Sequence, residues 1–184
     1  MRRSLNLSGK FVCTHLGSFF EWYDPDMVVS VFQQIRKHAD AQLLVITSDQ
    51  DKAVSYLASR LPPETFSVRH AAHEEVPGLL NASDLGFLLL KSSPNIKTSS
   101  PAKFAEYLNC GLPVLITPEV GDFSELVAAR GLGAIVTTSD TFDTSIVDRV
   151  SATRMQVAEE CRTAGRPLTW QAFSTTWSKI ASAK

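Results

Sequence analysis

The chain has 184 residues, of which 44% are hydrophobic and 20% are charged, a composition typical of a soluble globular domain and not of a disordered or collagen-like chain. Eighteen Lys and Arg residues against nineteen Asp and Glu residues give a formal net charge of −1. No global positive field therefore favours nonspecific binding to nucleic acid. The longest apolar run, residues 85–90, is far shorter than the ~20 residues that span a bilayer.

Short apolar runs alternate with segments of helical spacing along the chain. We predict six strands, at residues 11–16, 42–47, 65–69, 84–90, 113–117 and 133–136. Helices are predicted after Asp24, over residues 53–61, around 76–80, over 101–110 and over 123–129, followed by C-terminal helices at roughly 142–164 and 168–183.

This alternation predicts an α/β fold. Strands that are apolar on both faces and separated by amphipathic helices are typical of parallel βαβ units. We therefore predict a doubly wound, six-stranded parallel sheet of the Rossmann-like kind with C-terminal helices, in a single domain over residues 1–184 that ends in a closing helix at 168–184. Ligands of such sheets bind beyond the carboxyl ends of the strands, at the topological switch point.

Several familiar site patterns are absent from the sequence. The first predicted strand is not followed by GxGxxG, and no GxxxxGK[ST] occurs. The three cysteines form no CxxC, so we predict reduced thiols in a cytoplasmic protein, with Cys13 and Cys110 buried. His70 and His73 lack the further ligands of a metal site, and we expect no metal or other cofactor.

The most informative segment is the polar loop at residues 91–100, which leads directly into a predicted helix. Ser100 is a candidate cap and Pro101 a first-turn proline. A helix start of this kind presents free N–H groups and about +0.5 of a charge, which favours phosphate binding.

Lys103 and Glu106 are three residues apart on this helix and share a face. The lysine can meet a phosphate, and the carboxylate can accept hydrogen bonds from two vicinal ribose hydroxyls. The alternative is an exposed helix pair worth ~0.3–0.5 kcal/mol.

Residues 99–114, Ser-Ser-Pro-Ala-Lys-Phe-Ala-Glu-Tyr-Leu-Asn-Cys-Gly-Leu-Pro-Val, resemble the nucleotide-sugar segment of the family 4 retaining glycosyltransferases, which have the GT-B fold. Other segments resemble further motifs of that family: residues 16–24, 73–86, 120–125 and 168–173. The resemblance covers residues 11 to about 180. It implies the C-terminal, donor-binding domain of a two-domain enzyme.

The resemblance implies a hexosyl transferase that binds a UDP- or GDP-linked sugar and is inactive as the isolated domain. The acceptor-binding N-terminal domain is missing from this chain and is expected in cis or in trans. The full enzyme is expected to be capable of peripheral membrane association, and no nucleic acid partner is expected.

The resemblance also implies a donor site, with Lys103 and Glu106 as the catalytic candidates. Glu106 matches the second glutamate of the family's E-x7-E motif, which binds the ribose, and Gly17 lets the donor approach the backbone. The implied donor site comprises Gly17, Ser18, His70, His73, Thr98, Ser99, Ser100, Pro101, Lys103 and Glu106.

Three positions depart from the family pattern. Thr98 stands where the motif has its first glutamate, and Ser18 and Tyr23 stand where the family has a basic pair for the donor phosphates. Lys103 is a candidate to replace the missing charge. The departures also leave open a second hypothesis, a non-catalytic interaction module or partner subunit that keeps the half-fold.

The sequence contains two further sets of aromatic and apolar residues, each with a role to be assigned. The cluster Phe19, Phe20, Trp22 and Tyr23 either packs in the core or contacts the sugar or the acceptor. The apolar stripe formed by Trp170, Phe173, Trp177 and Ile180 is expected to dock on the core.

Overall fold

The computed structural model describes residues 1–138, 142–169, 171, 172 and 174. Strands and helices alternate along these residues. The strands are β1 (Phe11–Leu16), β2 (Ala41–Ile46), β3 (Phe66–Arg69), β4 (Leu85–Leu88), β5 (Val114–Ile116) and β6 (Gly133–Ile135). The helices are α1 (Pro25–Ile35), α2 (Gln50–Ala58), α3 (Val76–Asn81), α4 (Ala102–Asn109), α5 (Phe123–Arg130) and α6 (Ser145–Gly165).

The six strands form one parallel sheet in the order β3-β2-β1-β4-β5-β6. The central strand β1 pairs with β2 on one side and β4 on the other, so that Cys13 lies opposite both Leu43 and Leu85. The strand order reverses between β1 and β4, which makes the carboxyl ends of these two strands the switch point. The predicted doubly wound α/β fold is confirmed.

The four inner strands are buried along their whole length because helices cover both faces of the sheet. The edge strands β3 and β6 are only partly buried. The largest fully buried side chains include Phe32, Phe87, Phe104 and Tyr107, which join the strands to the helices above and below them.

The starts of α1 and α4 differ. The carboxylate of Asp24 accepts a hydrogen bond from the Met27 amide at 2.9 Å, as expected for a helix cap. The prediction that Ser100 caps α4 is wrong, because Pro101 itself occupies the cap position and the helix begins at Ala102. Within the described residues no side chain caps α4, so its first amides are left without a side-chain acceptor there.

Helix α6 packs directly against α4. The Asn109 side chain donates to the Gly165 carbonyl at 3.1 Å. A Cβ on Gly165 would lie only 2.9 Å from the Asn109 nitrogen and from Leu108 Cβ, so the helices approach closely. The predicted closing helix and the stripe of Trp170, Phe173, Trp177 and Ile180 lie outside the residues that the structure describes, apart from a few positions of the helix.

A buried carboxylate, that of Asp84, lies at the amino ends of the strands, at the edge of the sheet opposite the switch point. Asp84 forms ion pairs with Arg2 and Arg154 and accepts a hydrogen bond from the Val12 amide. These contacts join the N-terminal segment, β1 and α6 at the amino ends of the strands. They are therefore remote from the switch point.

The cysteine prediction is partly wrong. Cys13 is buried as expected, but Cys110 is half-buried, whereas Cys161 is buried. Cys110 ends α4 close to the surface, where Arg162 contributes to its electrostatic surroundings. Across the ranges described above, all three thiols are unpaired, and no group of three His, Cys, Asp or Glu side chains is arranged to hold a metal ion. In the same ranges, no helix combines the length and the apolar character needed to cross a membrane.

Candidate functional site

The switch point is crossed by the side chain of Lys103. Gly17, the residue after β1, has a φ of +103°, and a Cβ placed on it would lie 2.1 Å from Lys103 Cε and 2.8 Å from Nζ. The lysine reaches this position from the first turn of α4. A glycine is needed here both for the backbone conformation and for the space that the lysine takes.

Helix α4 is anchored to both strands of the switch point by Tyr107. Its hydroxyl accepts from the Leu16 amide at 2.9 Å and donates to the Phe87 carbonyl at 3.2 Å. Gly86 makes room for the ring, since a Cβ there would lie 2.9 Å from Tyr107 Cγ. Sequence reasoning missed Tyr107, and the signal that could have revealed it is a glycine inside a buried strand.

Lys103 and Glu106 lie half-buried on the same face of α4. Among the residues that the structure describes, no ion pair joins them, and neither charged group makes a hydrogen bond. The alternative interpretation, an exposed helix ion pair, is therefore not what the structure shows. Both charged groups are available to a ligand.

Tyr23 lies close enough to interact with both charges. Burial, followed by the negative charge of Glu106, raises the pKa of Tyr23 to about 12, and the ammonium group of Lys103 lies 5.7 Å from the centre of its ring. Burial also raises the pKa of the Tyr107 hydroxyl well above its usual value, with a contribution from Glu106. Both phenols are thus protonated, and the negative charge of Glu106 acts on both of them.

The loop after β1 separates its aromatic residues into two groups. Phe19 and Tyr23 are buried and pack in the core, whereas Phe20 is half-buried and Trp22 is 65% exposed. The ammonium group of Lys91 donates to the Phe20 carbonyl at 2.7 Å and ties the loop to the segment after β4.

Ser18 contributes an unpartnered polar atom at the switch point. Its hydroxyl oxygen is buried and has no hydrogen-bond partner within the described part of the chain. Its carbonyl oxygen accepts from the ring of His15 at 2.8 Å. The Ser18 hydroxyl is therefore enclosed beside Gly17 without an internal partner in the described part of the chain.

Two hydroxyl groups of the loop before α4 donate hydrogen bonds to carbonyl groups of the same loop. Thr98 donates to the Asn95 carbonyl at 3.1 Å, and Ser99 donates to the Ile96 carbonyl at 2.7 Å. Ser100 is exposed and Pro101 is half-buried. These residues place backbone groups, not side chains, at the start of the helix.

The turn before α5 holds this loop in place. The Gly121 amide donates to the Ile96 carbonyl at 3.1 Å, and a Cβ on Gly121 would lie 2.5 Å from the Ser99 carbonyl oxygen. Gly121 has a φ of +47°. The segment after β5 therefore supports the backbone that leads into α4.

His70 and His73 lie after β3, two strands away from β1 along the same carboxyl edge. Both are exposed. The His70 amide donates to the Gln50 side chain at 3.0 Å. The structure thus brings Lys103 against Gly17, next to Ser18, with Glu106 on the same helix face as Lys103, and it places the two histidines at the far side of the edge.

Fold and site define a class: a doubly wound α/β protein that presents unpaired charged groups at its switch point. A family model described as "Glycosyl transferases group 1" matches residues 10–152, and the chain belongs to that family. Its fold is that of a domain of the GT-B glycosyltransferases. A comparison with curated protein sequences gave no match.

Solved structures show the same fold at low identity. The Anabaena protein Alr3699/HepE, solved in complex with UDP and glucose, is 14% identical with a TM-score of 0.75, over 100% of this chain and 51% of that chain. Sucrose-phosphate synthase from Thermosynechococcus elongatus is 15% identical with a TM-score of 0.73, over 100% of this chain and 49% of that chain. The chain thus spans about half the length of these proteins.

A more distant match is to TarM of S. aureus, solved as a point mutant in complex with fondaparinux, alpha-GlcNAc-glycerol and UDP. It is 11% identical with a TM-score of 0.66, over 94% of this chain and 35% of that chain. This match again supports the fold.

Proposed function

We propose that the chain is the donor-binding, C-terminal domain of a family 4 retaining glycosyltransferase that binds a UDP- or GDP-linked sugar. The observation that carries the proposal is an unpaired lysine at the switch point with an unpaired glutamate on the same helix face. Lys103 crosses the end of β1 at Gly17, and Glu106 lies on the same face of α4.

The diphosphate is assigned to the start of α4. The Lys103 ammonium group and the first amides of the helix, which lack a side-chain cap, supply the donors. In retaining transfer the leaving group is a nucleoside diphosphate, whose developing negative charge must be stabilised. Lys103 supplies this stabilisation in the proposed site, where the family's basic pair is replaced by Ser18 and Tyr23.

The ribose is assigned to Glu106. Three residues of helix separate it from Lys103 by about 4.5 Å along the axis, so the two side chains bind successive parts of one ligand. The carboxylate makes no internal hydrogen bond within the described residues and can accept from both vicinal hydroxyls. The base then extends toward the exposed loop of His70 and His73, where backbone groups flank it.

The comparisons support a nucleotide-sugar donor and a second domain. Alr3699/HepE was solved with UDP and also with UDP-glucose. Because this chain covers about half of that protein, we propose that an acceptor-binding domain completes the enzyme in cis or in trans. A cytoplasmic location, transfer without a metal ion, inactivity of the isolated domain and peripheral membrane association of the full enzyme belong to the same proposal.

A second candidate function is a non-catalytic interaction module. It is favoured by Thr98, which is exposed and whose hydroxyl is used within its own loop, at the position of the first motif glutamate. The two functions differ in turnover. The transferase releases a nucleoside diphosphate when a matching acceptor domain is supplied, and the interaction module does not.

Donor binding is tested by thermal unfolding of the 184-residue chain with millimolar UDP, GDP or UDP-glucose. A ligand at ten times its Kd stabilises the folded state by about 1.4 kcal/mol, which raises the Tm of a chain of this size by roughly 3–6 °C. Glu106→Ala should abolish the shift, whereas Glu64→Ala, an exposed position before β3, should preserve it. No shift with any of the three ligands would refute the proposal.

A further inference from the structure

His15 lies fully buried directly beneath the loop that carries Gly17 and Ser18. Its Nε2 atom lies 2.8 Å from the Ser18 carbonyl oxygen, which can only accept, so Nε2 carries the proton. The other ring nitrogen, Nδ1, is buried and has no partner within the residues that the structure describes. The one N–H group of the ring therefore donates to the backbone of the loop.

Two aromatic rings hold the imidazole in place. Phe19 and Tyr23 each meet it edge to face, with ring centres 5.1 Å and 4.7 Å away. The ammonium group of Lys103 also lies 5.7 Å from the centre of the Tyr23 ring. His15 is thus in contact with both the backbone and the side chain that border the lysine.

The imidazole is neutral at ordinary pH. Burial lowers the pKa of His15 to about 4, the hydrogen bond to Ser18 opposes this shift, and the positive charge of Lys103 adds to it. The charged groups that face this cluster are Lys103 and, through Tyr23, Glu106, both on α4. A neutral ring can therefore lie close to Lys103 without repelling its ammonium group.

We propose that His15 is a positioning residue for Lys103 in the nucleotide site. By holding the Ser18 carbonyl and the Tyr23 ring, it fixes the backbone at Gly17, against which the lysine side chain lies. A shift of that backbone by a few tenths of an ångström would change where the ammonium group meets the diphosphate, because Lys103 fills the space that a Cβ would take. This inference rests on the proposed function.

The test is a double-mutant cycle on UDP binding by the 184-residue chain, measured by calorimetry. His15→Leu removes the hydrogen bond to Ser18 and should weaken UDP binding about tenfold. His15→Gln offers an amide donor to the same carbonyl and should stay within about threefold of the unchanged chain. In a Lys103→Met background, His15→Leu should cause almost no further loss, because its effect passes through the lysine.

The outcomes separate the two proposals. If the unchanged chain binds UDP and the two substitutions act additively, the role of His15 is overturned while the donor site stands. If the unchanged chain binds GDP in place of UDP, the same cycle is measured with GDP; if it binds neither nucleotide, both proposals are overturned. Should His15→Leu not fold, His15→Asn, whose amide is too short to reach Ser18, takes its place in the same cycle.

Discussion

Lys103 Cε lies where a side chain on Gly17 would begin, so that one residue of α4 occupies space at the end of β1. This relationship joins the two sides of the switch point through a charged side chain. The lysine is half-buried, and within the described residues its ammonium group has neither an ion-pair nor a hydrogen-bond partner.

Gly17→Ala should weaken UDP binding at least tenfold, because the new methyl group displaces the lysine. It should also destabilise the fold by about 1–2 kcal/mol through the positive φ. Gly9→Ala is the matched control, since Gly9 also has a positive φ, +77°, but a Cβ there meets nothing within 4 Å. Denaturant unfolding and calorimetry check both variants, and equal UDP affinities for the two would contradict the prediction.

Lys103→Met should lower UDP affinity about tenfold or more and reduce the dependence of that affinity on salt concentration, because a charged contact with the diphosphate is lost. Stability should hardly change, since the ammonium group has no internal partner within the described residues. Lys37→Met, at an exposed position after α1, serves as the control. Titrations at low and high salt measure the effect, and an unchanged salt dependence would count against a phosphate contact.

Tyr107→Phe should destabilise the chain by about 1–3 kcal/mol, because the buried Leu16 amide and Phe87 carbonyl lose their partner. Tyr56→Phe removes a hydroxyl that bonds to exposed Asp26 and should cost less. Chemical denaturation gives both values. A larger loss for Tyr56→Phe would show that α4 is not anchored through Tyr107.

Asp84→Ala should cost about 1–3 kcal/mol, because the buried Val12 amide loses its acceptor and the partly exposed Arg2 and Arg154 lose their partner. UDP affinity should be unchanged in the folded variant, since Asp84 lies at the amino ends of the strands. The two measurements separate stability from binding. A lost affinity in a folded Asp84→Ala chain would mean that the two edges of the sheet are coupled.

The pKa of His15 predicts how stability changes with pH. The folded state holds the ring neutral down to about pH 4, whereas the unfolded chain protonates it near 6.5. Between these values the unfolded state binds more protons than the folded state. The free energy of unfolding is therefore undiminished by this group above about pH 6.5 and decreases as the pH falls toward 4. The full effect is of the order of 3 kcal/mol.

His15→Gln should flatten this part of the pH profile relative to the unchanged chain. Unfolding free energies measured at about pH 7 and about pH 4.5, on either side of most of the titration, provide the comparison. Parallel profiles for the two chains would show that His15 does not contribute to the loss.

Local patterns were enough to predict the fold. Each inner strand is a run of apolar residues, and Asp24 followed by Pro25 marks the start of α1 as the structure has it. The start of α4 was harder to predict, because Ser and Pro in succession fit two alignments of the cap, and the structure places Pro101 rather than Ser100 there.

The pairings at the site could be predicted only in part. The shared face of Lys103 and Glu106 follows from helical spacing. The contact of Lys103 with Gly17 and the anchoring of Tyr107 depend on which strands are neighbours, and the spacing along the chain does not contain that information. The buried position of His15 under the loop also depends on which strands are neighbours, so it could not be predicted from the spacing along the chain either.

The most direct test of the donor site is a crystal structure of the chain with bound UDP. We expect the diphosphate to contact Lys103 Nζ at the start of α4 and the ribose hydroxyls to lie within hydrogen-bond distance of the Glu106 carboxylate. UDP bound elsewhere, or bound with both side chains free of contact, would contradict this expectation.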